Sequence, residues 1–201
     1  MRTRSPEFLL ARQPIMDRQR PVVAYELLYR SGDRNAAFFI DDALATTSVV
    51  HAAFRRIGIS AAIGGARALI NVNAEFLLSR RVEELPQNQV MLEILETVEI
   101  DEQIVKRCRA LKEKGYQLAL DDVCHYSETF EPLLEFVDVV KIDVQQLDAA
   151  SLAILVQKLR AWPARLLAEK VETIGRVQQC LELGIDWFQG FFYGQPVMLA
   201  A

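Results

Sequence analysis

Short apolar runs recur along the chain, each carrying or ending on a charged or amide side chain, and they alternate with stretches of helical period. Phe8 to Met16 and Val22 to Tyr29 read as strands joined only by Asp17-Arg18-Gln19-Arg20-Pro21. That link is too short for a crossover helix, so the two strands are expected to be antiparallel neighbours. From Asp41 to Arg56 the sequence turns helical: Leu44, Val49, Val50, Ala53, Phe54 and Ile57 recur on one face, and Gly58 follows as a stop. Strands are then predicted over Leu69–Asn73, Val90–Leu95, Leu118–Asp122, Val139–Asp143, Leu166–Val171 and Trp187–Phe192. Helices are predicted between them over Ala74–Arg80, Asp101–Lys114, Glu128–Phe136, Ala149–Trp162 and Ile174–Leu183. Eight strands, seven of them parallel by this alternation, predict an α/β fold in one domain over residues 1–201: a (β/α)8 TIM-type barrel with one antiparallel strand. An open doubly wound sheet is the rival, but Gly64-Gly65 does not supply its usual GxGxxG turn.

Composition narrows the function classes. Of 201 residues, 51% are apolar and 25% charged, a globular profile with a formal charge of -4. No Lys/Arg-dense block stands out, which argues against a nucleic-acid polymer as partner. Cys108, Cys124 and Cys180 are odd in number and widely spaced, which suits free thiols in a cytoplasmic setting. Pro6, Glu7, Arg12 and Pro14 interrupt any signal-peptide core near the start. No run approaches the roughly 20 apolar residues of a membrane span.

In barrels of this kind chemistry collects where the strands end. Those ends carry Glu26, Asn73, Glu93, Asp121 with Asp122, Lys141, Glu169 and Gln189. The Asp121-Asp122 pair taken alone fits a solvated strand-to-helix turn. Both side chains can approach one site only where the strand ends and the backbone begins to turn. Seven strands each bringing a polar group to one end is harder to explain by packing. The set is rich in hard oxygen and, with only His51 and His125 in the chain, poor in soft ligands. It suits Mg2+ or Mn2+, and this many carboxylates can hold two ions about 3.5–4 Å apart for phosphate-ester hydrolysis. Lys141 is open to three readings: a cation beside the attacking water, a counter-ion to the acids, or a Schiff-base lysine.

The ordered series Gln13-Pro14-Ile15, Glu26-Leu27-Leu28-Tyr29-Arg30, Val72-Asn73, Leu92-Glu93-Ile94-Leu95-Glu96-Thr97, Ala119-Leu120-Asp121-Asp122, Val140-Lys141-Ile142-Asp143, Ala168-Glu169-Lys170-Val171-Glu172-Thr173 and Gln189-Gly190 resembles the EAL-domain cyclic di-GMP phosphodiesterases over almost the whole chain. The resemblance implies a barrel with one antiparallel strand and hydrolysis of cyclic di-GMP to linear pGpG with Mg2+ or Mn2+. It implies that Glu26, Asn73, Glu93 and Asp121 are metal ligands, with Asp122 on a second metal. It places Lys141, Glu169 and Gln189 around the attacking water, Gln13 and Arg30 on the substrate, and Glu96 as the support of the loop after the paired aspartates.

Three departures bear on activity. The name-giving Glu-Ala-Leu is Glu26-Leu27-Leu28 here. The family's DDFGTGYSS loop reads Asp121-Asp122-Val123-Cys124-His125-Tyr126-Ser127-Glu128, one residue shorter and without either glycine, so its path is expected to differ. The segments from Glu26 to Asn73 and on to Glu93 are compact for the family. The alternative to a phosphodiesterase is therefore a cyclic di-GMP receptor acting through a partner domain, and a third reading is a protein-binding module that has abandoned the nucleotide. The Glu26–Arg30 and Ala168–Thr173 variants resemble the branch in which such a domain precedes an HDOD domain. A C-terminal HDOD or other signalling domain, and a homodimer, are the partners this implies.

Overall fold

A computed structural model of the chain describes residues 8–31, 49–50, 53 and 57–199. The helix expected over Asp41–Arg56 lies almost wholly outside the described residues, as does His51. The parallel strands are β2 (Val22–Ser31), β3 (Arg67–Val72), β4 (Val90–Ile94), β5 (Gln117–Val123), β6 (Val139–Asp143), β7 (Arg165–Glu169) and β8 (Trp187–Phe188). β1 (Phe8–Asp17) lies antiparallel to both β2 and β8 and closes the ring. The expected barrel with its antiparallel strand is thus present. Between and after the strands lie α1 (Ile59–Ile63), α2 (Ala74–Leu78), α3 (Glu102–Glu113), α4 (Glu131–Leu134), α5 (Ala149–Leu159) and α6 (Ile174–Glu182).

Three local features differ from expectation. A ninth strand, β9 (Val197–Leu199), pairs Leu199 with Leu10 on the outer stretch of β1, because β1 runs past its β8 contact and leaves an edge there. The last barrel strand stops at Phe188 instead of Phe192, since Gly190 turns the chain at φ 148. β5 continues beyond Asp122 to Val123, with a register break between Leu120 and Val123. The two aspartates therefore sit in a bulge within the strand, which changes side-chain direction as a strand end would.

Period-two alternation builds the interior in layers. Ile15, Ala24, Leu69, Met91, Ala119, Val139 and Leu167 form a closed apolar plug. Two residues further toward the carboxyl ends of the parallel strands come Glu26, Asn71, Glu93, Asp121, Lys141 and Glu169; on antiparallel β1 the matching position is Gln13, two residues before Ile15. The same alternation turns Leu27, Ile70, Leu92, Leu118, Val140 and Leu166 outward into the larger core beneath the helices. Asp101, Asp148 and Thr173 accept hydrogen bonds from the amides of Ile104, Ser151 and Arg176, and so start α3, α5 and α6.

At the β7–β8 seam, Val171 N–H donates to the Gln189 carbonyl at 3.0 Å and Gln189 N–H to the Ala168 carbonyl at 2.8 Å. A Cβ on Gly190 would lie 2.2 Å from Val171 N, a contact no side chain can make. Gly190→Ala is expected to destabilise the fold by about 3 kcal/mol or more, from overpacking against backbone. Urea unfolding of the purified variant measures this.

Candidate functional site

The polar layer converges on one ammonium. Lys141, 1% exposed, extends from β6 across the barrel. Its Nζ donates to Asp121 Oδ1 at 2.7 Å and to Glu93, and stands 2.9 Å from Glu169 Oε2 and 3.9 Å from Glu26 Oε2. A charged lysine with no partner at this depth would be prohibitively costly. Burial pushes its pKa down, but Glu26, Glu93, Glu169 and Asp121 together outweigh that and hold it well above the ordinary lysine value.

Four carboxylates around one ammonium are undercompensated, and the acids respond differently. Burial raises Glu93 well above the usual carboxylate range, with Asp121 and Glu26 adding to the rise against Lys141. Glu169 is pushed up to about 8, again chiefly by burial. For Asp121 burial also opposes ionisation, but the Lys141 charge and hydrogen bonds to Glu93 and Lys141 prevail and lower it. Glu93 Oε2, Glu169 Oε1 and Gln189 Oε1 are buried with no hydrogen-bond partner.

Gln189, at the end of β8, ties the other wall together. Its Nε2 donates to Gln13 Oε1 at 3.1 Å and to Glu26 Oε2, while Gln13 Nε2 donates to the Gly194 carbonyl at 3.0 Å. Above the layer opens a cleft of about 490 Å³ lined by Gln13, Glu26, Asp121, Asp122, Lys141, Glu169 and Gln189, with Lys170, Glu96 and Glu172 at its walls. Glu96 also borders a neighbouring cleft of about 210 Å³, lined by Asp121, Asp122, Cys124 and His125.

Most candidates from the sequence are therefore brought together. Glu93 joins them from beneath through Lys141. Asn73 stands apart in its bonding: it is the N-cap of α2, its Oδ1 accepting from Phe76 N–H at 2.9 Å. The backbone of Arg30 lies in β2, but its side chain is outside the described residues. Among the described residues no three His, Cys, Asp or Glu side chains form a ready metal cage. Sequence reasoning gave no role to Lys170 or Asp143. Lys170 Nζ donates to Asp122 Oδ1 at 2.7 Å and to Asp143 Oδ2 at 2.6 Å. Asp143 ends β6 two residues after Lys141 and Lys170 directly follows Glu169, but that spacing alone does not show the pair meeting.

Comparison with known proteins gives a consistent picture. Residues 2–196 match the model of the EAL domain. The chain is 35% identical over 195 residues to Bacillus subtilis YuxH, covering 95% of this chain and 48% of the relative. It is 35% identical over 193 residues to the cyclic di-GMP phosphodiesterase CdgJ of Vibrio cholerae, covering 94% of this chain and 44% of the relative. The chain thus spans about half the length of the curated relatives it matches. Its fold resembles the calcium and cyclic di-GMP complex of Klebsiella pneumoniae BlrP1, with a TM-score of 0.75 at 23% identity, over 96% of this chain and 57% of that one. No helix among the described residues is long and apolar enough to cross a membrane.

Two outcomes test the buried charge network. Lys141→Met removes the ammonium shared by these four acids and, without divalent ions, is expected to cost about 3–5 kcal/mol in urea denaturation, as for other broken buried pairs. Because Glu169 has a folded-state pKa raised to about 8 from 4.5, the folded protein holds the extra proton between those values. Its contribution to stability is therefore present below the unfolded value and lost as pH rises toward 8. Calorimetric melting of metal-free protein should show a midpoint falling from pH 5.5 to pH 8.5, with a shallower fall in Glu169→Gln.

Proposed function

This chain is a member of the EAL domain family, and on that premise we propose that it binds cyclic di-GMP in the barrel-mouth cleft and hydrolyses it to linear pGpG. The observation that carries the reading is the convergence of Glu26, Glu93, Asp121 and Glu169 on one point, with buried carboxylate oxygens left over. Six carboxylates and two ammonium groups line the cleft, which by itself repels a phosphodiester. A hard divalent cation fits that donor set, and we assign Glu26, Glu93 and Asp121 to hold Mg2+ or Mn2+, with Asn73 as the family resemblance implies; the resemblance also puts Asp122 on a second ion, but here its carboxylate is held by the Lys170 ammonium. When bound, such a cation lowers the pKa of water and offsets charge building on the leaving oxygen.

The chain's own groups do the rest. Lys141 holds Asp121 and Glu93 in place and supplies fixed positive charge beside the scissile phosphate. Glu169, whose pKa is pushed up to about 8, is suited to exchange a proton near neutrality. Gln189 fixes Glu26 and Gln13 through its amide, and Gln13 with Arg30 contacts the nucleotide. Glu96, at the wall shared by the two clefts, supports the loop after Asp122. The three free cysteines agree with a reducing, cytoplasmic setting. The length of the relatives agrees with a further signalling domain, HDOD or another, in the whole protein, where the barrel could also pair as a homodimer.

A second reading, a receptor that binds without cutting, is favoured by the Lys170–Asp122 ion pair and the glycine-free loop after Asp122. One assay separates them. Purified protein with cyclic di-GMP and Mg2+ or Mn2+ is expected to release pGpG, and Glu26→Ala or Asp121→Ala to lose at least about 100-fold in rate, the scale of one lost charge-stabilising group, with circular dichroism unchanged. Binding by calorimetry with no product in either metal would establish the receptor; no binding would remove both.

A further inference from the structure

Two carboxylates outside the Lys141 cluster already share a cation. Asp122 projects from the β5 bulge and Asp143 from the end of β6, and the Lys170 ammonium lies 2.7 Å from one and 2.6 Å from the other. Asp143 is almost fully buried, its side chain 3% exposed, and it also accepts from Gln145 N–H at 2.9 Å and Gln146 Nε2 at 2.7 Å. Lys170 comes from the neighbouring strand, directly after β7, where Asp143 pairs with Glu169, and its side chain is 44% exposed. Both ends of the Lys170–Asp122 pair have left-handed backbone, φ 58 and φ 51, a region L side chains rarely adopt. The two side chains meet over the end of β6, the strand that lies between β5 and β7.

We propose that Lys170 is the resident occupant of a second cation position formed by Asp122 and Asp143, so that this barrel takes one divalent ion fewer than its carboxylates could hold. An ammonium between two carboxylates fills the place where a second ion would lie and removes the charge that would attract it. Because the lysine side chain reaches in from the solvent side, its removal leaves the carboxylates facing the cleft. The residue thereby sets ion stoichiometry, and with it the balance between binding a cyclic dinucleotide and cutting it. The link to the nucleotide rests on the function proposed above; the ion count does not.

The test is calorimetric titration of Mn2+ into the metal-free chain and its variants. Lys170→Gly removes the ammonium and suits the left-handed backbone; Lys170→Asn, another residue tolerant of that region, is a second neutral replacement. Each is expected to bind one more Mn2+ per chain than the wild type, and Lys170→Gly combined with Asp143→Asn is expected to return to the wild-type count. Equal counts in the wild type and both neutral variants would overturn the proposal. An increase of one supports it whatever the wild-type count. A wild type that binds neither Mn2+ nor cyclic di-GMP would count against the function proposed above, while the increment in the variants would still decide this one.

Discussion

The Lys141 ammonium is the constraint to which the barrel mouth is built. It comes from the middle of a strand whose five residues are all buried, so water can solvate it only through the cleft. Four carboxylates from four other strands must then meet it, which fixes the rotation of β2, β4, β5 and β7 about the barrel axis. A slip of one residue in any of these strands would turn its acid into the helix-facing core and could bring an apolar neighbour, Leu27, Leu92, Leu120 or Ala168, toward the charge. The ion cluster therefore specifies register as much as it contributes stability, because desolvation consumes most of its Coulomb energy.

The apolar plug beneath makes that cluster electrostatically effective. Ile15, Ala24, Leu69, Met91, Ala119, Val139 and Leu167 close the barrel from below, so the charged layer has low-polarity material on one side and solvent on the other. Field lines between the acids and any cation are confined to the mouth, and burial is the leading cause of the raised pKa values of Glu93 and Glu169. The deeper acid, Glu93, contacts the Lys141 ammonium and does not line the open cleft. Burial opposes ionisation of Glu93, Glu169 and Asp121 alike, and the Lys141 charge with the hydrogen bonds each one receives decides where burial prevails.

Much of this was legible from alternation alone. An apolar residue followed two positions later by a polar one, as in Met91/Glu93, Ala119/Asp121, Val139/Lys141 and Leu167/Glu169, marks both the inward face and the height of each side chain. The hairpin link was legible because its length admits only an antiparallel pair. What escaped was decided by long-range contact. Strand β9 is three residues long and exists because β1 presents an edge. Gly190 looked like part of a strand until the backbone of Val171 was placed against it. Lys170 belongs, in sequence, to an apolar-acidic run; that its ammonium reaches Asp143, 27 residues away, depends on a left-handed backbone that no periodicity encodes.

The glycine-free loop after Asp122 illustrates how side chains replace backbone freedom. Tyr126 OH donates to Glu131 Oε2 at 2.8 Å and accepts from Trp162 Nε1 at 3.3 Å, while Lys158 lies 5.2 Å from its ring centroid. Three residues, from α4, α5 and the turn after α5, thus clamp one residue of the loop, and Phe130 packs edge-on against the same ring at 5.9 Å. The direction of Asp122 is set upstream of this clamp, by the β5 bulge and its own φ of 51. The second aspartate therefore lines the mouth without a glycine in the loop that follows it. The cation that this carboxylate meets, the Lys170 ammonium, comes from the end of β7, beyond β6, and not from the loop that follows Asp122.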